Sequence, residues 1–227
     1  MKLVLQCAGA KQPNAGTFRV EGRPVKFVMS PDRVLHEDSR NFSFCRPDYR
    51  IPESNLTWFE YLGTYNRSGS NPDRLLKACA LYTDPAYAKA LDVAKRGRAK
   101  VFILSAGWGL IRWDFLLPDY DITFSRAKNV KRYAIRSAKA PLPEFNQIAD
   151  SDPEEDIFFF GGKDYLNLFY RLTRNVPAEK TVFYYHTADL PREHGFNYTA
   201  FTPGNPDLRT NWQYECFESF LKDAGLI

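Results

Sequence analysis

Lys100-Val101-Phe102-Ile103-Leu104-Ser105-Ala106-Gly107-Trp108-Gly109-Leu110-Ile111 joins an unbroken apolar run to a loop of small residues and then to a second apolar run. A strand with one wet face would alternate, so an apolar run of this length predicts a strand buried on both faces. On its amino side, Arg96-Gly97-Arg98 is a helix stop. Before it, Leu75, Leu76, Cys79, Ala80, Tyr87, Ala90, Leu91 and Ala94 repeat at helical spacing over 73–96. Asp84-Pro85 divides that stretch into two helices, since proline suits a first-turn position. On the carboxyl side the pattern predicts a helix over 126–140, a strand at 156–160 (DIFFF) and a helix at 164–173. A strand at 181–185 (TVFYY) and a closing helix at 211–224 follow. Residues 1–6 (MKLVLQ) read as the first buried strand. Strands alternating with helices specify an α/β fold with an open, largely parallel sheet flanked by helices.

The 227 residues suit one α/β domain, 1–227, with an insertion. The insertion is placed near residues 12–72, as an irregular segment or lid. It carries a hairpin at 17–29 around Gly22-Arg23-Pro24, and Pro47, Pro52, Gly63, Gly69 and Pro72 break up an aromatic-rich 40–72. No run approaches the roughly 18 apolar residues of a membrane span. MKLVLQCAGAKQ turns polar too early for a signal peptide, so no membrane and a cytoplasmic location are expected. Cys7, Cys45, Cys79 and Cys216 are scattered and do not cluster with His36, His186 or His194. No metal site and no cofactor are therefore expected. Nor does any segment call for an obligate protein partner.

Ligands of open α/β sheets bind beyond the carboxyl ends of the strands. Three loops with small residues follow predicted strands, at 7–11, 105–109 and 161–164. In Pro118-Asp119-Tyr120-Asp121, extended geometry turns both carboxylates to one side and Tyr120 to the other. Alternatively, Asp121 alone faces the pocket while Asp119 caps the turn. Asp164 stands where an acid either caps a helix or does chemistry. Cys7 is either a buried small hydrophobe or a site residue. Trp108, between two glycines, suits recognition.

Residues 126–139 (RAKNVKRYAIRSAK) hold six cations and no acid. As a helix, Ala127, Val130, Ala134 and Ala138 would form its apolar face, and Lys128, Arg132, Arg136 and Lys139 an adjacent row. Such a row supplies phosphate affinity without sequence reading. The acidic run 150–156 would repel phosphate and reads as an exposed connector.

The run Ile103 to Ile111, with Leu117-Pro118-Asp119-Tyr120-Asp121 after it, resembles the central signature of the YaaA family of DNA-associated proteins. Cys7, Lys11, Leu81-Tyr82 and Gly161-Gly162-Lys163-Asp164-Tyr165 extend the resemblance. It implies a fold like that of the uracil-DNA-glycosylase class and DNA as partner, contacted at its phosphate backbone and through an extruded base. Breaking a base–deoxyribose bond needs a carboxylate beside the developing cation, a donor to the leaving base and surfaces that hold the base. Asp121, Asp164 or Asp119 could supply the first, and Lys11 or Lys163 the second. Trp108, Tyr120 or Tyr165 could stack, with Cys7, Ser105, Gly109 and Gly162 also lining the substrate site. The expected activity is a DNA N-glycosylase acting on a modified base, as in repair or phage defence. A non-catalytic DNA-binding stress protein of the YaaA type and a nucleotide-processing enzyme are the alternatives.

Overall fold

In the computed structural model, which describes residues 1–35, 40–52, 54–137, 139–186, 190–204 and 211–227, the apolar runs become interior strands. His36, Ala138 and the Asn205-Pro206 turn lie outside the described residues. The first half of the chain runs β1 (Lys2–Gln6), β2 (Arg19–Val20), β3 (Arg23–Val28), β4 (Ser43–Cys45), α1 (Trp58–Arg67), β5 (Leu76–Lys77), α2 (Ala78–Leu81) and α3 (Pro85–Lys95). The second half runs β6 (Lys100–Ser105), β7 (Gly109–Arg112), β8 (Leu116–Leu117), β9 (Tyr120–Asp121), β10 (Phe145–Asn146), β11 (Ile157–Phe160), α4 (Lys163–Thr173), β12 (Lys180–Tyr184), β13 (Asn197–Ala200) and α5 (Trp212–Asp223).

Seven strands form an open sheet in the order β10-β7-β6-β1-β11-β12-β13. All its pairs are parallel except the β6–β7 hairpin. β1 lies at its centre, with Leu3, Val4 and Leu5 wholly buried. Local chemistry sets the helix starts. The Asp84 carboxylate accepts the Ala86 N–H and Pro85 opens α3. At α1, Thr57 and Glu60 form a reciprocal capping box. In the β6–β7 turn, Gly109 has φ +87°, and a Cβ there would lie 2.4 Å from the Phe145 carbonyl oxygen. That glycine is required by backbone packing, so its expected role in lining a substrate site is not needed to explain it.

Two sequence expectations require correction. The 12–72 segment is no irregular lid. Its expected hairpin is the β2–β3 pair, and β3 also pairs in parallel with β4 and with β9 from the central signature. Phe18 stacks on Trp58, and Phe27 packs edge-on against both Trp58 and Trp108. Trp58 and Tyr65 of the aromatic-rich stretch are thus core, while Tyr49 stays exposed. Residues 126–140 are not a helix either: their described part holds only a 3-10 turn, Arg132–Ala134. Small alanines offer too little apolar area to dock a helix. The segment is instead laced on by the Thr123–Ala134 and Arg136–Thr123 backbone bonds and by the Tyr133 carbonyl, which accepts from Met29 and Ser30. Among the described residues, no helix is long and apolar enough to cross a membrane.

Candidate functional site

At the carboxyl end of the sheet, three adjacent strands deliver Cys7 after β1, Ser105 at the end of β6 and Gly161-Gly162 after β11. Ser105 Oγ accepts the N–H groups of Gly107 and Trp108, both at 3.2 Å, and donates to Tyr120 Oη at 2.9 Å. Tyr120 Oη in turn lies 2.7 Å from Tyr82 Oη. Cys7 Sγ lies 3.2 Å from Tyr165 Oη. Tyr87 Oη donates to the Gln6 carbonyl at 2.6 Å and lies 3.2 Å from Tyr214 Oη. Gln6 Oε1 accepts the Gly162 N–H at 2.7 Å, tying β1 to the start of α4. Burial pushes the phenols of Tyr82, Tyr87, Tyr120 and Tyr165 well above their ordinary range, so all four are neutral donors and acceptors.

This buried hydroxyl layer is the floor of the candidate site, and its charged groups stand at the edge. Lys11 is half-buried, with Nζ 4.3 Å from the centroid of the Tyr120 ring and 3.4 Å from the Gly9 carbonyl oxygen. Burial lowers its pKa, and Lys26 adds to the lowering. The charges of Cys7, Asp119 and Asp121 oppose it. Asp119 is held by Lys26, Nζ to Oδ2 at 2.5 Å. Asp121 is half-exposed and its backbone pairs with β3, but its carboxylate takes no hydrogen bond or ion pair among the described residues. Tyr120 is buried, and the charges of Asp119 and Asp121 both act on Lys11.

Other expectations are revised. Trp108 is fully buried, its ring edge-on to Phe27 and Tyr120, and so belongs to the core instead of a site mouth. Tyr120 and Tyr165, 1% and 6% exposed, cannot offer a ring face to a base. Ser105 is likewise fully buried and acts on its own turn. Lys163 and Asp164 are exposed in the first turn of α4, whose cap is Gly162 without a side-chain cap bond. Asp164 therefore does not cap through its side chain.

Arg136 is the clearest correction to the proposed phosphate row. It is 1% exposed and donates to the Ala106 carbonyl at 2.6 Å and to Glu144 Oε1 at 2.5 Å. Glu144 also binds Arg171 at 2.5 Å. Arg136 fastens the segment after β9 to the loop after β6 and is all but closed off from solvent. Arg126, Lys128, Lys131, Arg132 and Lys139 remain exposed, and none forms an ion pair among the described residues. Lys26, Tyr214 and Glu144 are not marked by any sequence motif, and Tyr87 reads only as part of an apolar helix face. Isolated polar residues inside apolar patterns are their only local signal.

A recess of about 700 Å³ lies at the opposite end of the sheet, lined by Met1, Arg98, Lys100, Arg112 and Trp113 among others. Among its charged groups, the Met1 amine and Lys100 both pair with Glu155, and Arg112 pairs with Asp114 outside it. The carboxyl-end cluster is the better site, because titratable groups converge there and, among the described residues, Lys11 and Asp121 have no ion-pair partner. Among the described residues no group of histidine, cysteine or acidic side chains is placed to hold a metal ion.

Residues 68–184 match the model of a protein family described as "Family of unknown function (DUF6884)". That span runs from the end of α1 through β12 and includes Ser105, Asp119, Asp121, Lys163 and Asp164, while Cys7 and Lys11 precede it. No curated protein matches the chain.

Proposed function

The chain belongs to this family of unknown function, and we propose that it is a DNA glycosylase-like enzyme, with a fold of the YaaA and uracil-DNA-glycosylase-like kind. It extrudes a base, a modified one in this reading, and hydrolyses its N-glycosidic bond. One observation carries the proposal. Asp121 stands half-exposed, its carboxylate without an ion pair among the described residues and its charge acting on Lys11, and the acid-free loop 126–132, with exposed Arg126, Lys128, Lys131 and Arg132, follows within a few residues. A carboxylate so placed stabilises positive charge on the sugar or orients the attacking water. The loop holds phosphates on either side of an extruded nucleotide. Lys11, or the exposed Lys163, hydrogen-bonds the leaving base. Base stacking by Trp108, Tyr120 and Tyr165 drops out of the scheme, since all three rings are buried.

The test is incubation with unmodified and naturally modified DNA, assayed for free base and for abasic sites. Release of a base by the wild type, abolished in Asp121→Asn, supports the reading. Tight binding with no release from any substrate would refute catalysis and favour the non-catalytic DNA-binding alternative.

A further inference from the structure

We propose that Lys11 gives the site a second activity, cleavage of the DNA strand at an abasic deoxyribose through an imine on Nζ. The inference rests on the reading of the carboxyl-end cluster as a nucleic-acid site, and adds to it the product of base loss as a substrate. Lys11 has the surroundings such chemistry requires. Its Nζ sits over the Tyr120 ring at 4.3 Å and has one long contact to the Gly9 carbonyl, at 3.4 Å. Asp119, one of the two acids whose charge acts on it, is bound by Lys26. Asp121 acts on it by charge but makes no ion pair with it. The amine is therefore half-buried and uncommitted, and the desolvation that lowers its pKa enlarges the share of free base able to attack a carbonyl. The ionisable groups around it are Cys7, Asp119, Asp121, Lys26, Tyr120 and Tyr82.

The steps balance without oxidant or reductant. The ring-opened abasic sugar presents an aldehyde at C1′. The Nζ lone pair forms a C–N bond to it, and the carbinolamine loses water to give a protonated imine. The Asp121 carboxylate takes a proton from C2′. The released electron pair forms the C2′–C3′ double bond, and the C3′–O bond breaks with the 3′ phosphate as leaving group. Water then hydrolyses the conjugated imine, freeing an unsaturated aldehyde and restoring the Lys11 amine.

The experiment uses the full chain and DNA carrying a preformed abasic site, so that it does not depend on base release. Borohydride is added to reduce and trap the imine, and the cross-linked peptide is mapped. The expected result is a cross-link on Lys11 and strand scission in its absence, both falling to background in Lys11→Ala and in Lys11→Arg. The arginine variant keeps the cation over Tyr120 and cannot form a reversible imine. Absence of any cross-link in the wild type overturns the proposal. So does a cross-link that survives in a folded Lys11→Arg protein, or one that maps to Lys128, Lys131, Lys139 or the Met1 amine. Base release without trapping would sink the lyase alone, and trapping without base release would sink the glycosylase alone.

Discussion

Arg136→Ala separates a structural cation from a nucleic-acid contact. The guanidinium is 1% exposed and Glu144 4%, so the pair is buried on both sides. Burial lowers the Arg136 pKa, but a guanidinium remains charged and must keep its acceptors. Removal leaves the Ala106 carbonyl without its 2.6 Å donor and strips Glu144 of one of two arginines. Breaking a buried pair costs about 3–5 kcal/mol. The retained Arg171, itself half-exposed, places this case at the lower end. For a domain of this size, 3–5 kcal/mol corresponds to a fall in Tm of roughly 6–20 °C. The exposed Arg132→Ala should stay within about 0.5 kcal/mol of wild type. Thermal unfolding and a DNA titration, run side by side on both variants, make the comparison. If Arg136→Ala melts with the wild type and loses DNA affinity as Arg132→Ala does, the anchoring argument fails.

Replacing Arg126, Lys128, Lys131 and Arg132 together by glutamine should flatten the plot of log affinity against log salt for duplex DNA by up to roughly 3.6, at about 0.9 per lost phosphate contact; an unchanged slope would remove the loop from the interface. Trp108→Ala should cost about 3–5 kcal/mol in urea unfolding, as a fully buried ring does, and selective loss of single-strand binding in a protein of wild-type stability would contradict its core placement. Asp121→Asn should slow single-turnover base release by about 10²–10³ while DNA binding persists, and a fully active variant would move the search to Asp164. Stability should fall above pH ~10. Tyr82, Tyr87, Tyr120 and Tyr165 keep their protons in the fold after the unfolded chain has released them. Their contribution is complete below the unfolded phenol pKa and is lost as pH rises, at up to about 1.4 kcal/mol per pH unit for each, or about 5.6 for the four. Urea midpoints measured from pH 9 to 11.5 that stay flat would show the hydroxyl layer to be open to solvent.

The interior strands were legible because each had one physical explanation. An apolar run such as 101–104 can satisfy its backbone and bury both faces only between other strands. Proline and a capping acid at 84–85 likewise admit a single local reading. Helix 126–140 misled because alanine scores well as a helix former while offering little area to bury. With no docking face, tertiary bonds from Thr123, Met29 and Ser30 decided the backbone. The 12–72 segment misled for a related reason. Its strands are short, and their partner β9 comes from a hundred residues later, so no local pattern reveals the sheet they complete.

The same distinction runs through the candidate site. Loops after strands locate it, since any parallel sheet concentrates its chain reversals there. Residue type does not tell the floor from the mouth. Tyr120 and Tyr165 look like recognition rings, yet each hydroxyl has a buried partner, and a phenol that is both desolvated and hydrogen-bonded holds its neighbours in place. What remains for chemistry is selected by what is left unpaired. Asp119 is spent on Lys26, Arg136 on Glu144 and Ser105 on its own turn. Among the described residues, Asp121 and Lys11 stand at the rim without an ion-pair partner. A fold that commits Asp119, Arg136 and Ser105 to internal partners, and among the described residues leaves the Asp121 carboxylate and the Lys11 amine without an ion pair, keeps both available to a ligand.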